Sequence, residues 1–230
     1  MISKIIGSVA EAIADVRDGS TVMIGGFGSA GQPVELIDAL LEQGAKDLTV
    51  VNNNAGNGTT GLAALLQARR VRKIICSFPR QVDSQVFDGL YRAGELELEL
   101  VPQGTLAERI RAGGAGIAGF FTPTGYGTML ADGKETRRID GRDYVLESAL
   151  SADFALIKAH RGDRLGNLVY RKTARNFGPL MVGAASVAIA QVASIVEVGE
   201  LDPESVVTPG IYVQRVVEVS SHTPPSTQGQ

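Results

Sequence analysis

The sequence predicts an α/β fold, with a single open, mainly parallel sheet covered by helices and a peripheral hairpin region. Three observations carry this expectation. Short apolar runs such as TVMI and LTVV alternate with segments whose apolar residues recur at helical spacing, the order expected of parallel strands joined by helices. Glycine, 28 of 230 residues, is abundant enough for many tight strand-to-helix turns. One charged, turn-rich stretch, residues 132–144 (DGKETRRIDGRDY), breaks the alternation and is expected to form a surface hairpin whose charges are solvated.

Taken in order, Ile5, Val9, Ile13 and Val16 are spaced for an amphipathic helix that ends at Asp18-Gly19. The run 21–24 follows as a buried strand, then a glycine turn, then a helix carrying Leu36, Ile37, Leu40 and Leu41, with Pro33 suited to its first turn. The pattern repeats as a strand at 48–51, a helix near 61–69, a strand in VRKIICSF and a helix around 83–93. GELELELVP (94–102) alternates strictly and predicts a further strand. In TLAERIRAGGAG, Thr105 and Glu108 stand at capping-box spacing, so a helix is expected to begin there. DFALIKAH predicts a strand, residues 162–179 a long loop with a hairpin, and GAASVAIAQVASIVEVG (183–199) a helix running into a strand, the helix more core than interface. Residues 1–219 are expected to form one domain, and 220–230 (SSHTPPSTQGQ) a disordered tail.

Composition narrows the function. A net charge of -3, from 22 basic and 25 acidic residues, gives no footprint for nucleic acid or an anionic membrane. No window approaches the roughly 20 apolar residues of a membrane span, and the N-terminus lacks the form of a signal peptide, so a cytoplasmic protein is expected. Cys76 is the single cysteine and lies in an apolar run, which predicts a buried thiol and no internal disulfide. With only His160 and His222, no metal site is expected.

The functional candidates gather in one loop. Gly26-Phe27-Gly28-Ser29-Ala30-Gly31 formally matches the dinucleotide fingerprint G-x-G-x-x-G. That fingerprint also needs an acid closing the next strand, to bind the ribose hydroxyls. Here the next strand ends in Asn52-Asn53-Asn54, and Asp47 precedes it, so NAD is disfavoured and no tightly bound cofactor is expected. Gly25, Gly26 and Gly28 let backbone approach a bulky ligand closely. Phe27, the one large side chain, is equally readable as a core plug or as a ligand contact.

Extended leftward, the loop becomes DGSTVMIGGFGSAGQP (18–33), which resembles the first signature of the family I coenzyme A transferases. The resemblance continues in NNAGNG (53–58), VPQGTLAERIRAGGAG (101–116), FTPTGYGT (121–128), DFALIKA (153–159) and RKTARNF (171–177). It implies a CoA-transferase-like fold, CoA thioesters as substrates, and contacts to them from Gly25, Gly26, Phe27, Gly28, Ser29, Ala30 and Gly31. It also implies a glutamate nucleophile in a Glu-Asn-Gly context, carried by the family's second half or second subunit. Glu-Asn-Gly occurs nowhere in this chain, so the chain resembles an A subunit that requires a B subunit, by family precedent two of each. Gln103, in VPQGT, matches the glutamine assigned to oxyanion stabilisation, and Asn53 and Asn54 fall where the other half carries its nucleophile loop.

Two branches of the family share succinyl-CoA as donor, one passing CoA to acetoacetate and one to 3-oxoadipate. Residues 76–99 and 199–217 look like the 3-oxoadipate branch. Arg80 lies on a strand-to-helix loop where it could clamp the distal carboxylate that acetoacetate lacks. A competing class is a sugar-phosphate or nucleotide-binding sensor domain of the same broad fold. Such a sensor would carry a DNA-binding module, for which the chain has neither the spare length nor the basic charge.

Overall fold

The computed structural model describes residues 2–219. The expected tail, 220–230, lies outside the described residues. At the front of the chain, α1 is a single turn, Val9–Ala12, rather than the longer helix that the spacing of Ile5 to Val16 suggests. The Ser8 side chain accepts from the Glu11 N–H and starts the helix there, while Ile5 pairs in parallel with Val216 from the far end of the chain. Ile13 and Val16 still enter the core, from turns rather than from a helix.

The next elements follow the predicted alternation: β1 (Thr21–Ile24), α2 (Val34–Gln43), β2 (Leu48–Val51), α3 (Leu62–Gln67), β3 (Val71–Cys76), α4 (Gln85–Arg92) and β4 (Glu97–Leu100). Helix α5 spans Gln103–Gly114 and begins two residues before the expected start. Pro102, at φ -53, sets its entry, Thr105 is buried inside the first turn, and Glu108 pairs with Arg111 instead of closing a capping box.

Strands β5 (Gly119–Thr122), β6 (Thr136–Ile139) and β7 (Arg142–Ser148) form an antiparallel three-stranded sheet. The expected hairpin is its β6–β7 pair, turning at Asp140 and Gly141, both with positive φ. The chain returns through β8 (Ala152–Lys158), and β9 (Arg161–Asp163) pairs with β10 (Leu168–Val169) as the second hairpin. Helix α6 covers only Gly178–Ala184, and the apolar run after it is a strand, β11 (Ala185–Val192), followed by β12 (Ser194–Val196) and β13 (Arg215–Glu218). The helical part of the helix-into-strand reading of 183–199 is therefore wrong, since the strand begins already at Ala185. A parallel strand buried on both faces is apolar throughout, so its small residues Ala188 and Ala190 carry no alternation to tell it from a helix.

Seven strands make the parallel sheet, in the order β13-β11-β8-β1-β2-β3-β4. Alternation along β1 divides the core: Val22 and Ile24 pack on one face with Leu36, Leu40 and Leu65, while Met23 packs on the other with Ile110, Ile157 and Met181. All the connections that follow β1 to β4 then emerge at one edge of the sheet, the carboxyl edge where open α/β sheets bind their ligands.

Candidate active site

The loop after β1 is a tight hairpin. The Phe27 N–H donates to the Ala30 carbonyl (3.0 Å) and the Ala30 N–H to the Phe27 carbonyl (3.1 Å), leaving Gly28 and Ser29 at the tip. Its base is tied down by Asn176, which accepts from the Gly26 N–H (3.2 Å) and donates to the Ala30 carbonyl (3.0 Å). Gly31 closes the turn at φ +76, where a Cβ would lie 2.8 Å from the Ala174 carbonyl, so only glycine fits. Phe27 is 50% exposed, which rules out the core-plug alternative. The anchoring role of Asn176 was not anticipated, and its signal was its place in the RKTARNF segment.

The loop after β2 is a buried run of amides. Asn52 donates to the Ile24 carbonyl (2.6 Å) and accepts from the Asn54 N–H (2.9 Å), which fastens this loop to the end of β1. Asn54 Oδ1 accepts from the Gly56 N–H (2.8 Å), whereas its buried Nδ2 has no partner. Asn53 Oδ1 receives both the Ser77 hydroxyl (2.7 Å) and Gln103 Nε2 (3.1 Å). One amide thus joins the loops after β2 and β3 to the first residue of α5.

These groups meet at an open cavity of about 730 Å³, lined among others by Phe27, Gly28, Asn53, Phe78, Arg80 and Gln103. Other expected site residues fall elsewhere. Gly25 and Gly26 are buried beneath the loop, Ser29 and Asn54 line an adjoining polar cavity of about 260 Å³, and Ala30 faces a third, of about 630 Å³, with Arg175 and Asn176. Arg80 stands at the mouth, exposed, with its Nε donating to Asp88 Oδ1 (2.6 Å), so its clamp geometry is already shared with an acid of this chain.

Apart from Arg80 at its mouth, the cavity offers neutral donors. Among the described residues no carboxylate and no histidine lines it. Cys76 ends β3 just below, but burial pushes its thiol up to about 12, so it stays protonated and is no nucleophile at neutral pH. Among the described residues no cluster of His, Cys, Asp and Glu could hold a metal ion, and no helix is long and apolar enough to cross a membrane. Amides of Asn and Gln can stabilise developing negative charge without titrating themselves.

The fold matches that of an acyl-CoA transferase from E. coli O157:H7 solved as a thioester complex with CoA, at a TM-score of 0.83 and 22% identity over 95% of this chain. This chain spans about half of that one, 47%. The model of the coenzyme A transferase family matches residues 6–219. The chain belongs to the coenzyme A transferase family. Among curated members of this family it is 69% identical, over 96% of its length and 95% of the relative's, to the A subunit of the 3-oxoadipate CoA-transferase of Pseudomonas putida. It is 64% identical to the A subunit of the Acinetobacter baylyi enzyme of the same name, over 98% of this chain and 99% of that one.

Proposed function

We propose that this chain, over residues 1–219, is the A subunit of a CoA-transferase that moves CoA from succinyl-CoA to 3-oxoadipate in the cytoplasm, together with a B subunit, as two chains of each. The observation that carries the reading is near-full-length identity of 69% to an A subunit of that activity, in a chain whose cavity offers donors but no carboxylate nucleophile.

On this reading a glutamate carried by the B subunit, not by this chain, attacks the thioester carbonyl of succinyl-CoA, and collapse of the adduct expels CoA thiolate and leaves a mixed anhydride. The thiolate then attacks the glutamyl carbonyl, releases succinate and forms the enzyme thioester. The carboxylate of 3-oxoadipate attacks that thioester in turn, and the two steps run in reverse order to give 3-oxoadipyl-CoA and free glutamate. Each tetrahedral adduct carries an oxyanion. Gln103 donates to it, Phe27 and Gly28 of the glycine loop lie against the pantetheine arm while the buried Gly25 and Gly26 support them, and Asn53 bounds the acyl side with Asn54 behind it.

The test is CoA transfer from succinyl-CoA to 3-oxoadipate and, separately, to acetoacetate, by this chain alone and after co-expression with a B subunit. Turnover that needs both chains and favours 3-oxoadipate is the expected result. Preference for acetoacetate would overturn the choice of acceptor, and turnover by this chain alone would overturn the placement of the nucleophile.

A further inference from the structure

We infer that Ser77 is a positioning residue for CoA transfer, its hydroxyl fixing the amide of Asn53 and, through it, the donor orientation of Gln103. The inference rests on the reading of Gln103 as the oxyanion donor.

Proton counting around Asn53 carries it. A backbone carbonyl has two lone pairs, and those of Asn53 are taken by the N–H groups of Ser77 (3.2 Å) and Phe78 (2.9 Å). The Ser77 hydroxyl lies 3.2 Å from that saturated oxygen and 2.7 Å from Asn53 Oδ1, so its single proton goes to Oδ1. An Asn amide can turn over at almost no steric cost, and only its hydrogen bonds choose the orientation. With the hydroxyl proton on Oδ1, the oxygen is the atom facing Gln103, and whatever Gln103 presents at 3.1 Å has to be a donor. Nε2 therefore occupies the position beside Asn53, gives one proton to Oδ1 and keeps the second for the cavity that both residues line.

Without the hydroxyl, Asn53 can present Nδ2 and draw the Gln103 carbonyl oxygen into the same place. A lone pair would then face the developing oxyanion, and the donor would have to turn during the reaction. Preorganised donors avoid that reorganisation, which is the source of their catalytic effect. Ser77 itself need not touch the substrate for this.

The experiment uses the A–B complex with succinyl-CoA and 3-oxoadipate, and compares Ser77→Ala, Ser77→Thr and the isosteric Ser77→Val. The expected result is a kcat lowered about tenfold in the Ala and Val variants, with KM held within about twofold, and a Thr variant close to wild type. A second arm repeats Ser77→Ala on Asn53→Asp, whose carboxylate can only accept; there the hydroxyl no longer decides the orientation, and its loss costs less than about twofold. Thr and Val variants of equal kcat, or an undiminished Ser77→Ala loss in the Asn53→Asp background, overturn the inference. A complex that turns over, loses activity on Gln103→Ala and ignores the Ser77 hydroxyl overturns this inference alone. A wild-type complex that transfers no CoA overturns the function reading beneath it.

Discussion

The hydrogen-bonded cluster that joins three loops at the carboxyl edge of the large sheet is made of neutral amides and a hydroxyl, whereas the groups that join the small antiparallel sheet to α5 are ions. At the first place Asn52, Asn53, Ser77 and Gln103 bridge three loops. At the second, Arg109 donates to Glu99 (2.7 Å) and to the Ser148 carbonyl (2.8 Å), and Lys134 pairs with the buried Glu147 (2.7 Å). Asn52 and Asn53 in the first set and Arg109 and Glu147 in the second are withdrawn from water, which costs free energy unless partners are supplied. The neutral set is cheap to desolvate and keeps protons in reserve for a charge that comes and goes. The ionic set pairs opposite charges with one another and so fixes one geometry strongly.

That contrast predicts a separation of stability from turnover. Arg109→Ala leaves Glu99 and Glu147 each short of a partner, and removing one member of a buried ion cluster costs about 3 kcal/mol. Urea unfolding of the purified complex checks this: the midpoint for this chain should fall well below wild type. Gln103→Ala is the converse. Its side chain is exposed at the start of α5, so the midpoint should hold while kcat drops about tenfold or more, about 1.4 kcal/mol in the barrier. A kcat that stays unchanged removes Gln103 from the oxyanion site. A midpoint that falls with it makes the amide cluster a structural device.

Acid sharpens the same comparison, because only one of the two regions titrates. Burial alone would raise the Glu99 carboxyl, but hydrogen bonds from Arg109 and Lys73 outweigh it and hold it below the ordinary carboxylate range. A carboxyl lowered on folding contributes stability that is present above its unfolded value, about 4.3, and is lost as pH falls through the lower folded value. Stability from this group should therefore be level from pH 7 to about 5 and decline below about 4. Arg109→Ala should blunt that acid limb, and Gln103→Ala should leave it as in wild type.

Much of this arrangement was legible from local pattern, and the failures share one cause. Strands β1, β2 and β3 announced themselves because apolar runs are bounded by glycine and polar turns, and Cys76 was placed correctly in a buried strand. The glycine loop, the Asn run and Gln103 stood in motifs that carried the family resemblance, and three of those elements converge on one cavity. What local pattern missed is decided by distant chain. Ile5 leaves its helical pattern to pair with Val216, and β11 is a strand because β8 and β13 flank it. The glycine loop is tied by Asn176, and the Ser77 hydroxyl matters only because Asn53 and Gln103 arrive from other strand ends.

Arg80 tests the comparison at its boundary, since among the described residues it is the ion that lines the otherwise neutral cavity. As a substrate clamp it has to present two N–H groups in parallel to a distal carboxylate, a geometry lysine cannot supply. Its Nε is engaged by Asp88, and the guanidinium is more than half exposed, so solvent and the neighbouring acid already offset much of its pull. Arg80→Lys in the A–B complex should then raise KM for 3-oxoadipate by about two- to threefold, leave kcat near wild type and leave KM for acetoacetate, which has no distal carboxylate, where it was. Asp88→Asn should act in the opposite direction, by releasing the guanidinium. If neither substitution moves KM for either dicarboxylate, succinate included, Arg80 is a surface ion paired within its own loop and helix. Specificity would then rest on the uncharged lining alone.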